Sequence, residues 1–174
     1  RITTCTHGDV MGYLQEQDIT EILPNKKYQF LRKEILEDKI TDNCRNCLMK
    51  ENTSSAGKYT GLRNHYNGLG VHSSADYTDT KQFKLSALDL HWSSLCDLKC
   101  VTCWAFQSSS IAREEGKPVN HTPPAVADRI IEYVVANQNE LKEIYMSGGE
   151  PTLIKYNLKL LKQIEKRPDL IIRV

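Results

Sequence analysis

The sequence predicts an α/β fold over its second half, preceded by a smaller unit built around cysteines. Three observations lead there. From Leu85 onward, apolar runs and amphipathic stripes alternate as strand, helix, strand, helix, strand, an order that a parallel sheet with right-handed crossovers produces. Turn residues separate these segments at Gly116 and Pro118, at Gly148 to Pro151, and at Pro168. The six cysteines fall in two trios, Cys5 with Cys44 and Cys47, and Cys96 with Cys100 and Cys103.

Residues 1–52 make the first unit. Tyr28, Leu31 and Ile35 recur at helical spacing between Asn25 and Asp38, with Lys and Glu opposite, and Pro24 fixes the start. Cys5 lies before this helix and Cys44-Arg45-Asn46-Cys47 after it. A cluster joining them would staple a unit too small to bury much core. Residues 53–84 turn to Ser, Gly, Asn, Thr and Tyr, the composition of a linker. Its Lys58, Tyr59, Arg63, His65 and Tyr66 belong either to a solvated connector or to a basic, aromatic patch that meets a substrate.

Residues 85–174 carry the alternating pattern. Leu85 to Trp92 is apolar enough for a buried strand, with Ala87, Asp89 and His91 on one face and Leu88, Leu90 and Trp92 on the other. The leucine face should pack on helices, leaving Asp89 and His91 either facing a ligand or paired with each other in the core. Ser108 to Ser110 cap a short helix that Gly116 and Pro118 stop. Thr122 followed by Pro123 starts the next helix, with Ala127, Ile130, Ile131 and Val134 as its buried stripe. Lys142 to Ser147 is a strand, Ile154, Leu158, Leu161 and Ile164 mark a helix, and Leu170 to Val174 begins a third strand.

Composition excludes several classes. The chain has 174 residues with 23 basic and 22 acidic side chains, 40 % hydrophobic and 26 % charged. That mix fits neither a disordered tail nor a membrane protein, and no apolar run reaches the roughly 18 residues a span needs. A net charge of +1 gives no basic surplus for nucleic acid. The chain shows no basic-then-apolar signal segment, and the start at Arg1 without Met predicts a piece of a longer protein.

The cysteine spacings point to metal rather than to a secreted disulfide framework. Cys96-x-x-x-Cys100-x-x-Cys103 follows a strand directly, at the carboxyl end where parallel α/β folds place their chemistry. Three thiolates at this spacing can hold three corners of a [4Fe–4S] cubane, and no fourth cysteine follows. One iron would then stay open to an exogenous ligand, as open positions do at catalytic metals.

With this loop and the Gly148-Gly149-Glu150-Pro151 turn, the chain resembles the radical S-adenosylmethionine (SAM) enzymes. The resemblance implies that Cys96, Cys100 and Cys103 ligate three irons while SAM chelates the fourth through its amino and carboxylate groups. It sets Gly148 to Pro151 beside the SAM amino group. Many members carry an aromatic residue before the last cysteine, where this chain has Thr102; Trp104 follows instead, as an adenine contact or as core. The implied fold is a partial (β/α)6 barrel. Eight βα units take about 250 residues and six roughly 190, so residues 85–174 would be only its first part.

The first unit resembles the small twitch module, related to the SPASM domain, that some of these enzymes carry. By that resemblance Cys5, Cys44 and Cys47 ligate an auxiliary iron–sulfur cluster of the [4Fe–4S] type, with a glycine turn at Gly8 and Gly12. Its fourth ligand is a cysteine upstream of Arg1, His7 or another residue, unless the open iron binds substrate. The implied activity is reductive cleavage of SAM to a 5′-deoxyadenosyl radical that abstracts hydrogen from a peptide, or from a sugar-like small molecule. Electrons would come from a flavodoxin or ferredoxin in the cytoplasm, with no membrane or nucleic acid involved. The alternative is a non-enzymatic zinc module with two thiolate sites that binds protein or nucleic acid.

Overall fold

The computed structural model describes residues 2–3, 9–37, 39, 42, 44–45, 48–49, 65 and 85–174. The chain divides into two compact units, Arg1–Lys84 and Leu85–Val174.

In the first unit, strand β1 (Ile2–Thr3) pairs antiparallel with β2 (Val10–Gly12). Helix α1 (Ile19–Ile22) begins with a reciprocal cap: Asp18 accepts from the Thr20 and Glu21 amides, and Glu21 accepts from the Asp18 amide. That device satisfies amides left free by a helix start. Met11, Ile19, Ile22 and Leu23 are buried. Gly12 is no turn residue, contrary to expectation. It lies in β2, where an added Cβ would stand 2.7 Å from Ile22 Cγ1, so glycine there lets α1 approach the strand.

Helix α2 (Lys26–Leu36) lies within the expected span, but its cap is Asn25 rather than a start set by Pro24. The Asn25 side chain accepts from the Tyr28 amide at 3.0 Å and donates to the Met11 carbonyl at 2.9 Å, tying the helix to β2. Arg32 extends over the Tyr28 ring at 5.1 Å and donates to the Leu23 carbonyl. The expected apolar stripe is only partly covered: Tyr28 and Leu31 are half-buried, and Ile35 is 53 % exposed.

The second unit runs β3 (Ala87–His91), α3 (Ser109–Glu114), α4 (Pro124–Ala136), β4 (Glu143–Ser147), α5 (Lys155–Leu161) and β5 (Ile171–Arg173). All three strands are parallel in the order β3-β4-β5, with Leu88 beside Ile144 and Ile144 beside Ile172. Leu90, Ile144 and Met146 are buried on one sheet face, and Val126, Ala127, Ile130, Ile131 and Val134 form the buried stripe of α4. Each such Val, Leu, Ile or Met contributes about 1.5–3 kcal/mol through burial.

Three strands do not close a barrel. At about 4.8 Å between neighbours the sheet is roughly 10 Å wide, and closure takes more strands tilted around a common axis. The observed architecture is an open parallel α/β sheet. Thr122 does not cap α4: its amide donates to the Trp92 carbonyl at 2.7 Å, Pro123 occupies the cap position, and Pro124 opens the helix. Helix α5 buries Asn157 and Leu160, whereas Leu158 is 55 % exposed. The Asn157 side chain donates through Nδ2 to the Pro151 carbonyl at 2.9 Å, which turns that side of the helix inward.

Candidate metal centre

Strand β3 delivers the chain to the three-cysteine loop. After His91 the backbone passes through Trp92, 2 % exposed, and Ser94, fully buried, before reaching Cys96. Ser94 is held on both sides: its amide donates to Asn120 O at 3.0 Å, and its hydroxyl accepts from the Asn120 amide at 3.1 Å. The loop therefore starts from a fixed point.

Cys96 and Cys103 are half-buried, Cys100 is exposed, and all three are free thiols. The Cys103 amide donates to Cys100 O at 2.9 Å, closing a tight turn between these two residues. The Leu98 amide donates to Cys96 Sγ at 3.4 Å. Around the loop, Leu95, Leu98, Val101, Trp104 and Phe106 are exposed, and Lys99 pairs with Glu114 of α3.

The donor set fits a cubane. Each thiolate of a [4Fe–4S] cluster binds its own iron, so the sulfurs sit at separate corners. A zinc site instead gathers its ligands around one ion. Cys96, Cys100 and Cys103 could hold three irons of a cluster.

The turn after β4 lies against the approach to this loop. The Gly149 amide donates to Ser93 O at 3.0 Å and the Glu150 amide to Leu95 O at 2.7 Å. Gly148 has φ +110°, and a Cβ there would stand 2.6 Å from Ser93 O and 2.9 Å from His91 Cδ2. At Gly149 a Cβ would come within 2.1 Å of Leu95 O. These glycines are required for backbone-to-backbone approach between β4 and the cysteine loop, before any ligand is considered.

Glu150 turns its carboxylate back on the chain. Its Oε1 accepts from the Thr152 amide at 3.1 Å and hydroxyl at 2.7 Å, capping the single 3₁₀ turn Pro151–Leu153. The Thr152 hydroxyl, then its amide, hold the Glu150 carboxyl below the usual carboxylate range. Pro151, expected beside the ligand, opens that turn and is half-buried.

Other anticipated residues divide. Thr102 is exposed, and Trp104, 59 % exposed, is not a core residue. No Asp–His hydrogen-bonded pair forms on β3. Asp89 is exposed and accepts from the Ser147 hydroxyl at 2.6 Å across the sheet. His91 meets Phe106 edge to face at 5.5 Å, and its buried Nε2 finds no partner among the described residues. Burial pushes the His91 pKa down, with the Asp89 charge pulling it up more weakly. In the first unit Cys44 is half-buried with a free thiol; Cys5, Cys47, His7 and Gly8 lie outside the described residues. So do Lys58, Tyr59, Arg63 and Tyr66, while His65 is half-buried.

The run Ser108-Ser109-Ser110 carries more than the helix cap read from sequence. Ser108 does cap α3, accepting from the Ile111 amide at 3.4 Å. All three hydroxyls also reach the cysteine loop, and three successive serines behind a cysteine motif were the available signal. No helix among the described residues is long and apolar enough to cross a membrane. No curated protein and no solved structure matches the chain. Residues 86–170, which contain the whole loop and the β4 turn, match the family described as a 4Fe-4S single cluster domain, and this supports an iron–sulfur module.

Proposed function

We propose that this chain is the cluster-bearing part of a radical SAM enzyme. One observation carries the reading: Ser93 and Leu95, which lead from β3 into a three-cysteine loop, are bonded to a Gly-Gly-Glu-Pro turn at the end of β4, within the segment matched to a 4Fe-4S domain. Cys96, Cys100 and Cys103 would hold three irons of a [4Fe–4S] cluster and leave the fourth open to SAM. Such a cluster would supply one-electron chemistry when bound, for reductive cleavage of SAM and hydrogen abstraction from a substrate.

The protein's part is positioning and exclusion of water. The Gly148–Gly149 turn fixes β4 against the loop, and Glu150 sets the direction in which the chain leaves it. Asp89 and Ser147, on the polar sheet face below both, are the side chains that would meet SAM or substrate. A peptide substrate, a flavodoxin or ferredoxin donor, and a cytoplasmic setting belong to this proposal. So does an auxiliary [4Fe–4S] cluster on Cys5, Cys44 and Cys47, in a twitch-like module over residues 1–52 joined by the 53–84 linker to residues 85–174.

Anaerobic reconstitution of the full chain with iron and sulfide should give the broad visible absorbance of thiolate-bound clusters. With dithionite and SAM it should then release 5′-deoxyadenosine, and Cys100→Ala should release none. Undiminished release from Cys100→Ala refutes the assignment. A colourless protein that takes up zinc supports the non-enzymatic module instead.

A further inference from the structure

Ser108, Ser109 and Ser110 hold the loop from one side. Ser109 is fully buried, and its hydroxyl engages both peptide groups of Cys96, accepting from the amide at 3.1 Å and donating to the carbonyl at 3.0 Å. Ser110 donates to the same carbonyl at 2.8 Å. Ser108, also fully buried, donates to Leu98 O at 2.8 Å. The Ser109 amide donates to Ser94 O at 2.7 Å, so the same run is anchored to the buried segment that follows β3.

We infer that Ser108, Ser109 and Ser110 are positioning residues for the cluster, fixing the Cys96–Leu98 peptides so that the Leu98 amide stays aimed at Cys96 Sγ. This rests on the reading of Cys96 as an iron ligand. A short segment between two ligands has few internal restraints, and hydroxyls on consecutive residues of a helix start cover the carbonyls of residues 96 and 98 together. In a thiol the Cys96 S–H also lies 3.7 Å from Leu98 O. Once the sulfur is a thiolate that donor is gone, and the amide at 3.4 Å is the bond that remains. An N–H donor on a cluster sulfur favours the more negative, reduced cluster and so raises its potential, as hydrogen bonds to cluster ligands do.

The test is an EPR-monitored reductive titration of the reconstituted full chain, comparing the parent with Ser108→Ala, Ser110→Ala and Ser110→Thr. Ser108→Ala also removes a helix cap and so weakens folding. Ser110 does not cap the helix and is half-buried, so its variants stand as the second measure. The expected result is a more negative midpoint and an altered EPR spectrum in Ser110→Ala at parental circular dichroism, with Ser110→Thr restored to the parent. Reduced iron loading in a folded Ser110→Ala supports the same assignment. Parental midpoint, spectrum and iron content in both alanine variants would overturn it and leave the serines as caps alone. A parent that takes up no cluster fails separately, overturning the iron–sulfur reading on which the assignment rests.

Discussion

The described residues of the two units are held together by different means. In the first, short elements are joined by polar side chains acting on backbone: Asp18 on α1, Asn25 from α2 to Met11, and Arg32 to Leu23. Among the described residues of this unit Met11, Ile19, Ile22 and Leu23 are buried, while Phe30, Ile35 and Leu36 of α2 are exposed. In the second unit the cysteine loop grows out of a strand whose neighbours Ile144 and Met146 are almost fully buried, and hydroxyls tie it to that core. A residue on a loop gains rigidity from what the loop is bonded to, and both peptide groups of Cys96 are bonded to serine hydroxyls, its amide to Ser109 and its carbonyl to Ser109 and Ser110.

The strongest way to break this contrast is at the β4 turn. Gly149→Ala drives a Cβ into the Leu95 carbonyl and should cost about 3 kcal/mol, the upper range for forced overpacking. Both tryptophans, Trp92 and Trp104, lie in the second unit, so urea unfolding followed by tryptophan fluorescence reads this unit specifically. An unfolding midpoint equal to the parent's would show that the contact between β4 and the loop is loose.

The contrast is sharpened by one isoleucine from each unit. Ile144→Ala empties a fully buried position in β4 and should cost about 2–5 kcal/mol. Ile35→Ala, on the exposed side of α2, should stay within about 0.5 kcal/mol. Circular dichroism in urea on both variants makes the comparison, and equal losses would remove the distinction between the units.

The smallest effect concerns pH. Burial lowers the His91 pKa in the folded chain, so the folded state binds this proton less readily than the unfolded one. Its contribution is present in full above the unfolded value of about 6.5 and is lost as the pH falls through the folded value. His91→Gln should flatten the acid side of the stability profile, measured from pH 7 downward by tryptophan fluorescence in urea. An unchanged slope would mean that His91 is as accessible to protons as in the unfolded chain.

Much of the second unit was legible. Period-two and helical spacings located β3, β4 and β5 and the buried stripe of α4, because long regular segments leave repeated signals. The first unit was harder. The pair β1–β2 and the four residues of α1 are too short for periodicity, although Asp18 and Glu21 carried the capping signature. Helix α5 misled for another reason: Leu158 is apolar and fits the spacing, but Asn157 is held inward by Pro151 O. A polar side chain with a backbone partner can take a buried place from an aliphatic one.

By itself the sequence determined where the thiols stand, the order of strands and helices in the second unit, and the points where that unit turns. Tertiary structure decided what those residues press against. Gly148 and Gly149 suggested room for a ligand, yet the space they leave is filled by the backbone of Ser93 and Leu95. Ser108 to Ser110 suggested a helix cap, yet their hydroxyls also fix the peptides around Cys96. Spacing along a chain reports local geometry, while close approach between segments far apart in sequence depends on the packing of the strands and helices between them.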